Sequence, residues 1–165
     1  MDLSKFKDLP DHARVWIHSF EYHLSEGEQR AINKQLGGFL SQWVSHGEPV
    51  TAAFTVLFSR FVVTAAQCQS DISGCSIDSL IQNYKILKTA HGVNGLKGGL
   101  IYYRNQRGEI QAVDQDQFQD VVRSGGISPD SKVFNTLLST LGQIRSGEFE
   151  TTFEGSWHAR SFRKD

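Results

Sequence analysis

The chain has little of what marks the specialised protein classes. Its 165 residues include only two cysteines, three prolines and one methionine. Two cysteines cannot build a disulfide framework, which predicts a reducing, cytoplasmic setting. No apolar run approaches the roughly 20 residues that span a bilayer, and Met1-Asp2-Leu3-Ser4-Lys5 lacks the apolar stretch of a secretory leader. The sequence therefore predicts no membrane association. Neither charge sign dominates: 17 Lys and Arg face 18 Asp and Glu, for a formal net charge of -1. A nucleic-acid binder normally carries a basic excess, so nucleic acid is not an expected partner. No repeat, low-complexity block or linker divides the chain, and its length suffices to bury one core. Residues 1–165 read as a single domain.

What is present is a series of alternating patterns. Residues 14–20, rich in Val, Trp, Ile and Phe, form the first expected strand. Ser25-Glu26-Gly27-Glu28 is a capping-box signature. The helix it opens carries Ile32, Leu36, Phe39, Leu40, Trp43 and Val44 at 3.6-residue spacing. Gly37 and Gly38 weaken that helix by about 1 kcal/mol each against Ala, a cost that close approach to the sheet would explain. The helix is expected to stop at Ser45-His46-Gly47, with Gly47 as its C-cap. Residues 51–58 and 61–67 read as strands that are apolar on both faces. A second helix starts near Cys75 and ends at Gly92. Residues 100–104 and 109–113 form a hairpin, and Asp114 caps a helix running to Arg123. Ser128-Pro129-Asp130 precedes an expected helix over 131–146 that buries Phe134, Leu137, Leu138, Leu141 and Ile144. A short strand over 149–153 and an aromatic, basic end from Trp157 to Lys164 complete the chain.

This order, β-α-β-β-α-β through residue 104, predicts an α+β fold. The specific expectation is a ferredoxin-like antiparallel sheet extended by a hairpin and C-terminal helices. The second apolar face of the sheet needs a cover. The 131–146 helix is the expected one, giving a monomer, with a homodimer as the alternative.

The topology places residues 45–47 and 73–78 at one end of the sheet, together with residues 10–14 and the Asn105–Gly108 turn. Arg60 falls at the other end. The cluster is where reactive groups converge. Cys75 at a helix start meets unpaired N–H groups and the positive dipole end. His46 is the candidate base and Asp78 or Ser76 the orienting group, a thiol-enzyme or redox-sensor arrangement. Without chemistry, Ser45, Gly47, Ser73, Gly74 and Ser76 form a binding site for a small anionic ligand or a protein partner. This is the preferred expectation, because Ser73, Ser76 and Asp78 are ordinary helix-start residues and a lone cysteine is usually a small core residue.

Ala13-Arg14-Val15-Trp16-Ile17, Trp43-Val44-Ser45-His46-Gly47, Ser73-Gly74-Cys75-Ser76-Ile77-Asp78-Ser79 and Ser156-Trp157-His158 resemble a small bacterial family without assigned activity. Its members are often labelled ABC transporter ATPases. The resemblance implies no catalytic residue. The ATPase label conflicts with the sequence, because a P-loop needs Gly-x-x-x-x-Gly-Lys-Ser/Thr. The nearest approach, residues 92–99, has the wrong spacing and no hydroxyl after Lys97. No cofactor is expected. Cys68, Cys75 and six scattered histidines give no metal-ligand spacing, and a Gly-x-Ser-x-Gly nucleophile elbow is absent.

Overall fold

The computed structural model describes residues 1–162. A 3-10 turn at Ser4–Phe6 leads into β1 (Arg14–Ser19) and α1 (Glu26–Leu40), then the two-residue strands β2 (Val44–Ser45) and β3 (Glu48–Pro49). β4 (Thr51–Leu57), β5 (Phe61–Gln67) and α2 (Gly74–His91) follow. The remainder is β6 (Ile101–Arg104), β7 (Ile110–Val113), α3 (Gln115–Arg123), β8 (Lys132–Phe134), α4 (Leu141–Arg145), β9 (Glu150–Thr152) and α5 (Trp157–Phe162). The fold is mixed α+β, with a three-stranded sheet ordered β1-β5-β4, a four-stranded sheet ordered β7-β6-β8-β9, and a small β2-β3 hairpin. Every strand pairing is antiparallel.

The two-sided apolar strands explain the layering. On one face of the first sheet, Phe54, Val62 and Ala66 pack with Ile32, Leu36 and Leu40 of α1 and Leu80, Tyr84 and Leu87 of α2. On the other, Val15, Leu57, Phe61, Val63 and Ala65 pack against Tyr102, Ile110, Phe134 and Phe149 of the second sheet. The outer side of that sheet, Ile101, Tyr103 and Val133, is covered by α3 and α5 through Phe118, Val122, Ala159 and Phe162. The order of layers is helices, sheet, sheet, helices. β5, between β1 and β4, thereby buries both sets of its side chains.

Helix starts follow their sequence signals. Ser25 and Glu28 form the reciprocal capping box of α1, and Asp114 and Gln117 that of α3. α2 ends on Gly92, which adopts a left-handed φ of 70°.

Several expectations are corrected. β6 does not lie beside β1; it pairs with β7 and β8 in the second sheet. The outer edge of β1 is instead met by residues 139–141, where Val15 N–H donates to Ser139 O and Leu141 N–H to Ala13 O. The expected 131–146 helix is broken. Its first part is β8, in the ladder between β6 and β9, and only Leu141–Arg145 is helical. Ser128 and Ser131 bond to each other in a turn rather than capping a helix, and the β-branched Val133 suits the ladder. Leu137, assigned to the core, is 72% exposed. The second face of the first sheet is therefore covered within the chain, by a sheet rather than a helix. α1 ends at Leu40, so Val44 lies outside it and is exposed. Gly37 and Gly38 do not approach the sheet: a Cβ at either would meet no atom within 4 Å. The tail docks through α5, with Phe162 against Phe118 at 5.2 Å; Arg163 and Lys164 lie outside the described residues.

Candidate functional site

The end of the first sheet where β1 and β4 begin and β5 finishes gathers most of the singled-out residues. Arg14 pairs with Ala66 and Thr51 with Gln67. The 45–47 segment is not a helix end. It is the tip of the β2-β3 hairpin, with His46 at φ 52° and Gly47 at φ 80°. Two successive left-handed residues are the geometry of a tight hairpin turn, which glycine accepts freely and histidine at some strain.

Three hydroxyls tie this hairpin to the start of α2. Ser45, 1% exposed, donates to Asp71 O at 3.2 Å and accepts from Ser73 N–H at 3.0 Å. Ser73 caps α2 by accepting from Ser76 N–H, and their hydroxyls lie 2.8 Å apart. Ser76 donates to Val44 O at 3.0 Å. Trp43 Nε1 completes the junction by donating to Ser76 O at 3.0 Å. These serines are spent on holding the backbone together. Ser45→Ala is expected to cost about 1–2 kcal/mol, because it strands the half-buried N–H of Ser73 and removes the buried Ser45 hydroxyl's bond to Asp71 O. Urea titration checks the loss, with faster amide exchange over 44–49; an unchanged midpoint would mean that the hairpin is held by other contacts.

The thiol arrangement is brought near but not assembled. Cys75, Asp78 and His46 are all exposed. Neither the His46 ring nor the Cys75 thiol makes a hydrogen bond among the described residues. Gly74 faces open space, and the N–H groups of Gly74 and Cys75 carry no backbone partner. Arg60 lies at the opposite end, as expected, with its side chain buried and donating to Glu21 O at 2.8 Å. Burial lowers its pKa. The Asn105–Gly108 turn is also at that far end, contrary to expectation. The guanidinium of Arg104, which donates to Gly108 O, sits 5.0 Å from the Phe58 ring. The cause is the transfer of β6 to the second sheet.

Sequence reasoning missed the concave surface at the end where β1 and β4 begin. A cleft of about 510 Å³ is lined by Glu48, Pro49, Thr51, Gln67, Cys68 and Gln69. A second, of about 280 Å³, shares Gln67, Cys68 and Gln69 and extends to His12, Arg14 and Ile72. Glu48 fixes the intervening loop by accepting from Ser70 N–H and Oγ, at 3.3 and 3.1 Å. Arg14 donates to Ile72 O at 3.2 Å and lies 3.6 Å from Asp71. Neutral glutamines in a loop carry no motif, so only the fold reveals them. Among the described residues no group of three or more His, Cys, Asp or Glu side chains could hold a metal ion, and no helix is long and apolar enough to cross a membrane. No family model, no curated protein and no solved structure matches the chain.

Proposed function

We propose that the chain is a non-catalytic binding module that holds a protein partner at the end of its first sheet. The observation that carries this reading is the pair of adjoining clefts around Gln67, Cys68 and Gln69. A rigid hairpin–helix junction beside mixed polar and apolar lining is the usual character of a pre-formed recognition surface. A small anion at the start of α2 fits less well. Ser73 and Ser76 are internally bonded, and carboxylates at Glu48, Asp71 and Asp78 surround the same end. A thiol reaction at Cys75 draws no support from a neighbouring base. The resemblance to the small bacterial family remains part of the proposal; its two most specific segments, 45–47 and 73–78, meet through the Ser45–Ser73 bond. We read β1, α1, β4, β5 and α2 as a ferredoxin-like unit whose fourth strand has been drawn into the second sheet. The order β1-β5-β4, with both helices on one face, supports this. Two free cysteines fit a cytoplasmic protein.

A random peptide display selection on the full chain, followed by amide shift mapping, tests the reading. Selected peptides are expected to perturb Thr51 and residues 67–70 and to weaken on Gln67→Ala. Binders that map elsewhere overturn it. So does strong thermal stabilisation by phosphorylated metabolites with no peptide binding.

A further inference from the structure

The outer edge of β1 is closed for only half its length. Leu141 N–H donates to Ala13 O and Val15 N–H to Ser139 O, and Arg14 bridges Thr140 in the antiparallel sense. Each step forward along β1 is matched by one step back along the other segment, so the register is set. It makes Ile17 and Leu137 the next hydrogen-bonded pair, with Trp16 opposite Leu138 and His18 opposite Thr136. None of these pairings is formed among the described residues. The register of β1 with β5 turns the N–H and C=O of Ile17 outward, and neither has a partner among the described residues.

The chain swings away instead. A cavity of about 280 Å³ is lined by Ile17, His18 and Ser19, by Thr136 and Leu137, and by residues 95–100. On that last wall, a Cβ at Gly98 or Gly99 would meet nothing within 4 Å. Leu137 is exposed at the rim, while its neighbour Leu138 is buried between the two sheets. Leu137 N–H donates to Asn135 Oδ1 at 3.1 Å, and Asn135 N–H to Phe149 O at 2.9 Å.

We infer that residues 136–138 form a strap that closes onto β1 in the register already begun, with Ile17 and Leu137 exchanging both main-chain bonds. The structure holds the open form. On closure Leu137 joins Val15 and Ile17 on the face between the sheets, and Leu138 turns over to cover the half-buried Trp16. The core thus trades one leucine for another and keeps its volume. Leu137 N–H passes from the Asn135 side chain to Ile17 O, and Ile17 N–H gains the partner it lacks. The bonds of Asn135 to Phe149 and of Val15 to Ser139 stay in place, so only three residues move. Open, the strap leaves β1 a free edge beside a cavity; closed, it removes both. The strap meets β1 at the end away from Arg14 and its cleft, so it does not rest on the sheet-end reading.

Amide exchange and proton–proton contacts in the free, full-length protein test the strap. Asn135→Ala removes the bond that holds Leu137 N–H in the open form. Loss of that bond alone would speed exchange at Leu137; closure is expected to slow it there and at Ile17 about tenfold or more. A contact between the Hα protons of His18 and Thr136 is expected to strengthen in the same variant, since residues opposed at a non-bonded position have Cα atoms about 4.5 Å apart. Leu137→Asp suits the exposed position but not the buried one, and is expected to abolish the contact and quicken Ile17 exchange relative to the unsubstituted protein. Exchange at the core amide of Val63, equal in all three proteins, reports an intact fold. Faster exchange at Leu137 in Asn135→Ala with Val63 unchanged overturns the inference. If that variant disturbs Val63, Leu137→Asp decides alone: an Ile17 rate unchanged from the unsubstituted protein overturns the strap. Slowed amides without the His18–Thr136 contact overturn it as well, because the register is then wrong.

Discussion

Acidification is expected to destabilise the protein steeply between about pH 6.5 and about pH 4. Two histidines, His18 and His158, are held neutral by burial, each with a pKa lowered from 6.5 to about 4. His18 stacks on Tyr84 with ring centroids 3.6 Å apart, and its Nδ1 is sealed without a hydrogen-bond partner among the described residues. His158 is 1% exposed, stacked on Trp157, with Nδ1 3.2 Å from Ser156 Oγ. The sign follows from proton binding. Below pH 6.5 the unfolded chain takes up protons that the native rings refuse, so stability is complete above that value and falls as the pH drops, flattening below about 4. Each lowering corresponds to about 3 kcal/mol at its limit. Urea titrations at successive pH values measure the slope. His18→Phe preserves the ring stack and is expected to remove about one proton from the uptake on unfolding. An unaltered pH profile in His18→Phe would refute this account of His18.

Phe61→Ala is expected to be the most damaging single truncation. Phe61 is fully buried at the junction of the two sheets. Its ring lies 5.0 Å from those of Tyr102 and Phe134 and 5.2 Å from that of Phe149. Removing it opens a cavity among three aromatic neighbours and is expected to cost about 3–5 kcal/mol, which lowers Tm by about 6–20 °C for a chain of this size. Calorimetry decides. A loss below about 1 kcal/mol would mean that the layers repack freely across the gap.

The sequence carries the first layer well because its signals are local. Ser25 and Glu28 define one helix start, Ser73 another, and the alternation in β1, β4 and β5 announces strands buried on both faces. That alternation also demanded a cover for the second face. The nature of the cover was not legible. Phe134, Leu138, Leu141 and Ile144 follow helical spacing and do enter one core, yet the chain reaches it as a strand, a loop and one short helix. Burial pattern fixes which residues go inside more firmly than the backbone that carries them, since long-range pairing of Val133 with Tyr103 outweighs local periodicity. At the candidate site, glycine after histidine serves a helix end and a hairpin tip equally, because both need a left-handed residue. The hairpin is chosen by Ser45, whose bonds to residues 71 and 73 no local pattern encodes.

Arg145 has a consequence for the order in which the molecule can be made. Its guanidinium donates to the carbonyl oxygens of Phe6 and Leu9, at 2.8 and 3.0 Å, and pairs with Asp11. Residues 139–141 close the outer edge of β1 at the same place. During vectorial synthesis the helices and hairpins of the first layer can form as they emerge, but this fastening must wait until residue 145 has cleared the ribosome. Until then β1 presents a bare edge and the first sheet an uncovered apolar face, the features that make nascent chains stick to one another. A chain whose residues from Ser139 onward have not yet emerged therefore exposes both features, and the arrival of Arg145 is the step that hides them.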